Sequence, residues 1–219
     1  MKNVLIIHAH PEAKSFCSSL KNTAKEHFIN LGYSVTENDL YAMEFNPVGD
    51  ANDFTELANN DYFKYQTEQL NAAQNNLFSP EIQVEIEKLV QCDILIFNFP
   101  LWWFGLPAIL KGWVDRVFAM GVVYGGGKGV YDNGTFKNKK AFLTLTTGGP
   151  EIAYNGGKNG NLDTILFPIN HGMLYFTGMQ VLPPYISYSP ARITDEERVL
   201  EIEKYKKYLE GIDDLASIY

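Results

Sequence analysis

Two periodicities alternate along the chain. Val4–Ala9 is a continuous apolar run, the pattern of a parallel strand covered on both faces. Ser15–Leu31 then repeats apolar positions at helical spacing (Phe16, Leu20, Ala24, Phe28, Leu31), with Ser15 placed to cap the helix and Gly32 to end it. Tyr33–Asn38 supplies a second strand, completing a βαβ unit. Residues 41–78 break the rhythm. There Phe45, Phe54, Tyr62, Phe63, Tyr65 and Phe78 follow neither period, and the stretch reads as a long irregular excursion, functional or covering something. Ser79-Pro80-Glu81 opens a helix with a cap, a proline at the first position and an acid in the first turn, running to about Gln91. Asp93–Phe99 is the third strand, Pro107–Met120 a helix and Lys140–Thr147 the fourth strand. Leu162–Phe176 reads as a helix bent near Pro168, and Met179–Ser187 as a fifth strand interrupted at its end by Pro183-Pro184. Thr194–Gly211 closes the series as an amphipathic helix with the capping box Thr194-x-x-Glu197.

Five strands alternating with crossover helices predict an α/β fold, a doubly wound parallel sheet with helices on both faces. With no internal repeat or low-complexity segment, residues 1–219 read as a single domain carrying the excursion. At 219 residues, folding buries roughly 70% of the unfolded chain's surface, so the core needs no disulfide staple. Net charge of −8, with Lys137–Lys140 the longest basic patch, argues against a nucleic-acid partner. Cys17 and Cys92 lack metal-ligand spacing and point to a reducing, cytoplasmic setting without a bound metal. The first apolar run is too short for a signal core or a membrane span.

Open α/β sheets bind ligands beyond the carboxyl ends of their strands, and three such loops are chemically rich. The loop His10-Pro11-Glu12-Ala13-Lys14-Ser15-Phe16 lacks Gly-x-Gly-x-x-Gly, yet offers a cation, a hydroxyl and a helix N-terminus, which suit phosphate. Alone it could equally be a polar connection with a helix cap. Pro100-Leu101-Trp102-Trp103-Phe104-Gly105-Leu106-Pro107 places three large aromatics in a connection, where they need a partner such as a flat heteroaromatic ring, or else form a plug over the sheet end. Thr146-Thr147-Gly148-Gly149-Pro150 lets backbone approach a ligand and presents successive amides, although a plain turn has the same signature. Joined, the loops put a phosphate end beside an aromatic slot and a hydrogen-bonding floor, which matches a dinucleotide flavin. His8 reads as a strand polar residue and His27 as a helix-surface one, neither with a role.

These blocks, with Asp39-Leu40-Tyr41-Ala42-Met43, Phe45-Asn46-Pro47 and Pro107-Ala108-Ile109-Leu110-Lys111-Gly112-Trp113, resemble the NAD(P)H:quinone oxidoreductase (DT-diaphorase) family of the flavodoxin-like superfamily, over roughly residues 3–212. The resemblance implies strand order 2-1-3-4-5 and a homodimer whose sites lie at the interface, each with one FAD rather than FMN. It implies NAD(P)H as co-substrate and a quinone as acceptor. By this likeness His10, Ser15, Phe16 and Cys17 follow the FAD phosphates, Pro100, Leu101, Trp102, Trp103 and Phe104 border the isoalloxazine, and Thr146, Thr147, Gly148, Gly149 and Tyr154 bond its polar edge. Arg198 matches a position near the adenine half, and Tyr124 an aromatic that roofs the partner's substrate slot beside Trp103, Phe104 and Asn159.

Four departures stand out. Cys17 replaces a frequent Asn, and Asn159 stands where many members place a catalytic His, so the proton-relay role of the Tyr154–Asn159 pair is weakened. His171 matches one ligand of a structural metal site in one branch, but Tyr175 replaces the second, so no metal is expected. The glycine-rich Gly125–Gly129 differs from the family's more aromatic loop, leaving donor and acceptor preference open. Rival readings are an ancillary flavin-binding subunit of a potassium-efflux transporter, an azo or nitro reductase, and a one-electron flavodoxin carrier.

Overall fold

In the computed structural model, which describes residues 1–219, the chain runs β1 (Asn3–His8), α1 (Phe16–Asn30), β2 (Ser34–Asp39), α2 (Tyr65–Asn75), α3 (Pro80–Gln91), β3 (Ile94–Pro100) and α4 (Ala108–Val117). It continues through β4 (Lys140–Thr147), the hairpin β5 (Asn155–Gly157) and β6 (Gly160–Asn161), α5 (Leu162–Ile169), β7 (Gln180–Val181), β8 (Tyr185–Tyr188) and α6 (Asp195–Glu210). The main sheet is parallel throughout, ordered β2-β1-β3-β4, with β7 and β8 both alongside β4. This is the expected 2-1-3-4-5 order, with the fifth position shared by two short strands. The expected strand over Met179–Ser187 breaks in its middle because Pro183-Pro184 cannot donate to the ladder.

Side chains alternate across a strand, so each apolar run feeds two cores. Leu5, Ile7, Leu95, Phe97, Leu143 and Leu145 pack with Ile82 and Ile86 of α3 and Trp113 of α4. On the opposite face Val4, Ile6, Ile94, Ile96 and Phe142 pack with Leu20 and Phe28 of α1 and Tyr205 of α6. The Thr194–Glu197 capping box forms in both directions at the start of α6.

Three local expectations differ from the structure. The excursion contains α2, whose buried face is Glu68, Gln69 and Ala72 rather than an apolar stripe. Glu68 accepts the Ala58 amide and Gln69 donates to the Asp115 carbonyl, so polar contacts replace the missing hydrophobic period. Beyond Ile169 the helical path becomes a π turn over Asn170–Leu174, next to Pro168, which offers no amide. Finally, α4 ends at Val117 because Phe118 leaves helical geometry, short of Met120.

The excursion is tied to the domain by one buried cation. Arg116 of α4, 3% exposed, bonds Asp53 at 2.8 Å, the Asn46 carbonyl at 2.6 Å and Glu81 at 3.1 Å, while Tyr65 donates to Asp53. No helix is long and apolar enough to cross a membrane.

Candidate active site

Sheet register brings the rich loops to one edge. His8 pairs with Asn98, Pro100 with Thr146 and Thr146 with Ser187, so β1, β3, β4 and β8 all run out toward the same side. Their exits border a cleft of about 680 Å³ lined by His10, Lys14, Ser15, Phe16 and Cys17, by Pro100, Leu101 and Trp102, by Thr146, Thr147 and Gly148, and by Arg198. Segments remote along the chain therefore meet as the sequence predicted.

The β1 end is built to receive an anion. Ser15 caps α1 by accepting the Ser18 amide at 3.0 Å, while the Phe16 and Cys17 amides take no acceptor within the chain. Unpaired amides at the positive end of a helix dipole, with the Lys14 cation beside them, favour a phosphate oxygen. Across the cleft, the Arg198 guanidinium is held by the Pro190 carbonyl at 2.9 Å and by Asp195. Cys17 is buried, and burial pushes its thiol up to about 12 against the opposing Thr146 contact, so it lines the cleft as a neutral group and not a nucleophile. Burial likewise draws His10 below the usual imidazole range, with the Glu12 backbone and carboxylate pulling the other way.

The β3 exit is a tight turn. Trp102 and Gly105 exchange backbone hydrogen bonds at 3.3 and 3.0 Å, and the two residues between them, Trp103 and Phe104, have φ of 50° and 59°. Both central residues are thus left-handed, the requirement of a type I′ turn, at positions that usually take Gly or Asn. Trp102 faces the cleft, its ring 6.3 Å from that of His10, whereas Trp103 is 97% exposed. At the β4 exit a side chain on Gly148 would meet nothing within 4 Å, so its backbone is open to an approaching ring. Thr147 Oγ1 donates to the Gly149 carbonyl at 2.8 Å and fixes the turn.

Other predicted site residues lie beside the cleft rather than in its wall. Gly149, Tyr154 and Asn159 are mutual neighbours, since a Cβ on Gly149 would sit 3.2 Å from the Tyr154 ring and 3.4 Å from Asn159 Nδ2. Trp103 and Phe104 project outward from their turn. Tyr124 lines a separate cavity of about 540 Å³, where its hydroxyl accepts from Gln66 at 3.0 Å and its ring meets Phe176 edge-on at 5.7 Å. Ser19, Pro190, Ala191 and Asp195 complete the cleft wall, and sequence reasoning missed them. Pro190 and Ala191 follow β8 in a connection with no motif, and Asp195 opens α6 within the capping box, so only the register of β8 and the docking of α6 reveal them.

A cation, free helix amides, hydroxyls, a cleft-facing aromatic and an open glycine backbone form a donor set that fits a phosphate-bearing planar ring.

Residues 2–209 match the family described as having the flavodoxin-like fold. Over 221 residues the chain is 42% identical to the Rattus norvegicus NAD(P)H dehydrogenase (quinone) 1, spanning 100% of this chain and 80% of that protein. It is 41% identical over 213 residues to the human ribosyldihydronicotinamide dehydrogenase (quinone), spanning 96% and 92%. A crystal structure from Klebsiella pneumoniae, described as a candidate quinone reductase, superposes with a TM-score of 0.95 at 38% identity, covering 100% of this chain and 87% of that one. With its sheet order, its convergent loops and these relatives, the chain belongs to the NAD(P)H:quinone oxidoreductase family of the flavodoxin-like fold.

Proposed function

We propose that this protein is a flavin-dependent oxidoreductase that moves hydride from NAD(P)H to a quinone, with FAD as the flavin. The observation that carries this reading is the convergence of the α1 N-terminus, the Trp102–Gly105 turn and the Thr146–Gly148 backbone on one cleft. Bound flavin supplies hydride acceptance and donation, so the protein's task is binding, orientation and electrostatics.

Each wall of the cleft has a distinct part. Lys14, Ser15 and the Phe16 and Cys17 amides hold phosphate, and Arg198 at the far wall suits a second, nucleotide-bearing half, which favours FAD over FMN. Pro100, Leu101 and Trp102 border the ring, while Trp103 and Phe104 face the substrate side. Thr146, Thr147, Gly148 and Gly149 offer the ring's polar edge a row of backbone groups. Tyr154 stands next to Gly149 as a preorganised donor for charge that develops there. Asn159 donates a hydrogen bond to substrate and transfers no proton.

The outward aromatics support a homodimer as the acting unit. Trp103, Phe104, Tyr62, Phe63 and Ile152 are exposed apolar groups, and a second copy would cover them. That copy would bring its own Tyr124 over the slot, since Tyr124 of the same chain lines a separate cavity.

The test is a visible spectrum of the purified protein before and after NADH in the absence of oxygen. The reading expects bound-flavin absorbance that bleaches on NADH and returns on adding a quinone, with FAD released on denaturation. A colourless protein that takes up no added flavin would overturn it.

A further inference from the structure

We propose that His8 takes up a proton when a phosphate-bearing ligand enters the cleft, and so ties the affinity of that ligand to pH. The inference rests on the reading above only in placing the flavin's phosphates at the α1 end.

His8 is the last residue of β1 and is fully buried beneath that end of the cleft. Its Nδ1 lies 2.5 Å from Asn98 Oδ1, and its Nε2 lies 3.1 Å from Ser18 Oγ. Asn98 turns its amide nitrogen to the Thr144 carbonyl at 3.4 Å, which leaves the oxygen facing His8. An amide oxygen only accepts, so Nδ1 carries a hydrogen whatever the charge of the ring, and Nε2 is the atom that titrates.

Ser18 has one hydroxyl proton and three neighbours: His8 Nε2, the Glu12 carbonyl at 2.9 Å and Ser15 Oγ at 2.9 Å. Two arrangements satisfy them. With a neutral imidazole, Nε2 accepts the Ser18 proton, and Ser15 turns its own proton inward onto Ser18 Oγ. With Nε2 protonated, His8 donates to Ser18 and Ser18 donates to Glu12, while the second lone pair of Ser18 Oγ stays open to the Ser15 proton, which can stay there or turn toward an anion. Ser15 Oγ accepts the Ser18 amide at 3.0 Å and lines the cleft, so its hydroxyl lies between His8's network and an anion there. An anion in the cleft therefore stabilises the protonated imidazole by its charge, with Ser15 and Ser18 bridging the two.

The surrounding charges set the starting point. Burial is the strongest influence and holds His8 below the usual imidazole range without ligand. The Asn98 contact and the Asp39 carboxylate at the end of β2 favour the charged ring, whereas Lys21 of α1 and His10 oppose it. The nearby Cys17 thiol, on Asn98 Oδ1 at 3.5 Å, and the Tyr205 hydroxyl of α6, on Thr144 Oγ1 at 2.8 Å, stay neutral across the physiological range because burial raises both. On the cleft side the charged groups are Lys14 and the Arg198–Asp195 pair, with Glu12 in the loop. A ligand that raises the imidazole pKa binds most tightly below the ligand-free value. Its affinity then falls with rising pH by up to about tenfold per unit, and levels off above the ligand-bound value.

The experiment is calorimetric titration of FAD into the full-length protein stripped of cofactor, in buffers of differing ionisation enthalpy from about pH 5 to 8. Expected are net proton uptake and an affinity that falls as pH rises. In His8→Gln, which keeps a hydrogen-bonding group without a titrating one, uptake and pH dependence should both fall, leaving only the share that His10 in the cleft wall contributes. Nitrogen chemical shifts of His8 in the unsubstituted protein give the same answer should that variant not fold, with Nε2 becoming protonated on FAD addition. FAD binding with equal proton uptake in His8→Gln, or an imidazole unchanged by FAD, overturns this inference while sparing the proposed function. Failure to bind FAD at any pH overturns both.

Discussion

Replacing Trp103 by glycine separates what the aromatic turn costs the fold from what it gives the site. Trp103 is held at φ 50° with 97% of its surface exposed, so it carries backbone strain without compensating burial. A left-handed conformation costs an L residue about 1–2 kcal/mol, and glycine relieves it. Glycine's extra freedom in the unfolded chain returns about 0.5–1 kcal/mol of that gain. Trp103→Gly should therefore stabilise the flavin-free protein by roughly 0.5–1 kcal/mol, raising Tm by about 1–4 °C for a chain of this size. Far-ultraviolet circular dichroism through urea unfolding, at low protein concentration to limit self-association, reads the change without depending on tryptophan fluorescence. The same variant should raise KM for NADH roughly two- to tenfold, the value of one aromatic contact at about 0.5–1.5 kcal/mol. Destabilisation by 1 kcal/mol or more would mean that Trp103 packs within its own chain. An unchanged KM would remove it from the slot.

Three further predictions follow from individual contacts. Tyr154→Phe should slow flavin reduction by about 1–3 kcal/mol of barrier, the scale of one lost preorganised donor, and rapid-mixing kinetics with an unchanged reductive half-reaction would remove Tyr154 from the mechanism. Gly112→Ala, normally stabilising within a helix, should instead destabilise by about 1–3 kcal/mol, because its methyl would lie 2.2 Å from the Pro47 carbonyl oxygen; urea midpoints decide the sign. Burial pushes the Glu37 carboxyl up, but Lys21 and Lys25 at 2.6 and 2.9 Å outweigh it and hold the group below the usual carboxylate range. Its contribution is thus present above the unfolded value of about 4.3 and is lost as pH falls through the lower folded value. Stability of Glu37→Gln should accordingly decline less than that of the parent on acidification below about pH 4, as seen by urea unfolding at stepped pH.

The parts of the fold visible in sequence are those whose residues answer to one dominant force. Val4–Ala9 and Asp93–Phe99 read correctly because both faces of a central parallel strand are buried, and no other element produces such short apolar runs between turn signals. Ser79-Pro80-Glu81 and Thr194 with Glu197 marked helix starts because capping chemistry is local. The helix α2 escaped notice because Glu68 and Gln69 are buried by pairing with distant backbone, which leaves no apolar period. For the site, loop chemistry named Ser15, Trp102 and Gly148, and strand register then brought them together. His8 escaped because a histidine in a buried strand announces nothing until Asn98 and Ser18 are seen on its two nitrogens.

A crystal structure of the protein grown with FAD tests the central claim most directly. The account predicts phosphate density against Lys14, Ser15 and the start of α1, with the isoalloxazine between the Trp102 turn and the Gly148 backbone. Flavin bound elsewhere, or a cleft closed to it in crystals that carry the cofactor, would contradict the account.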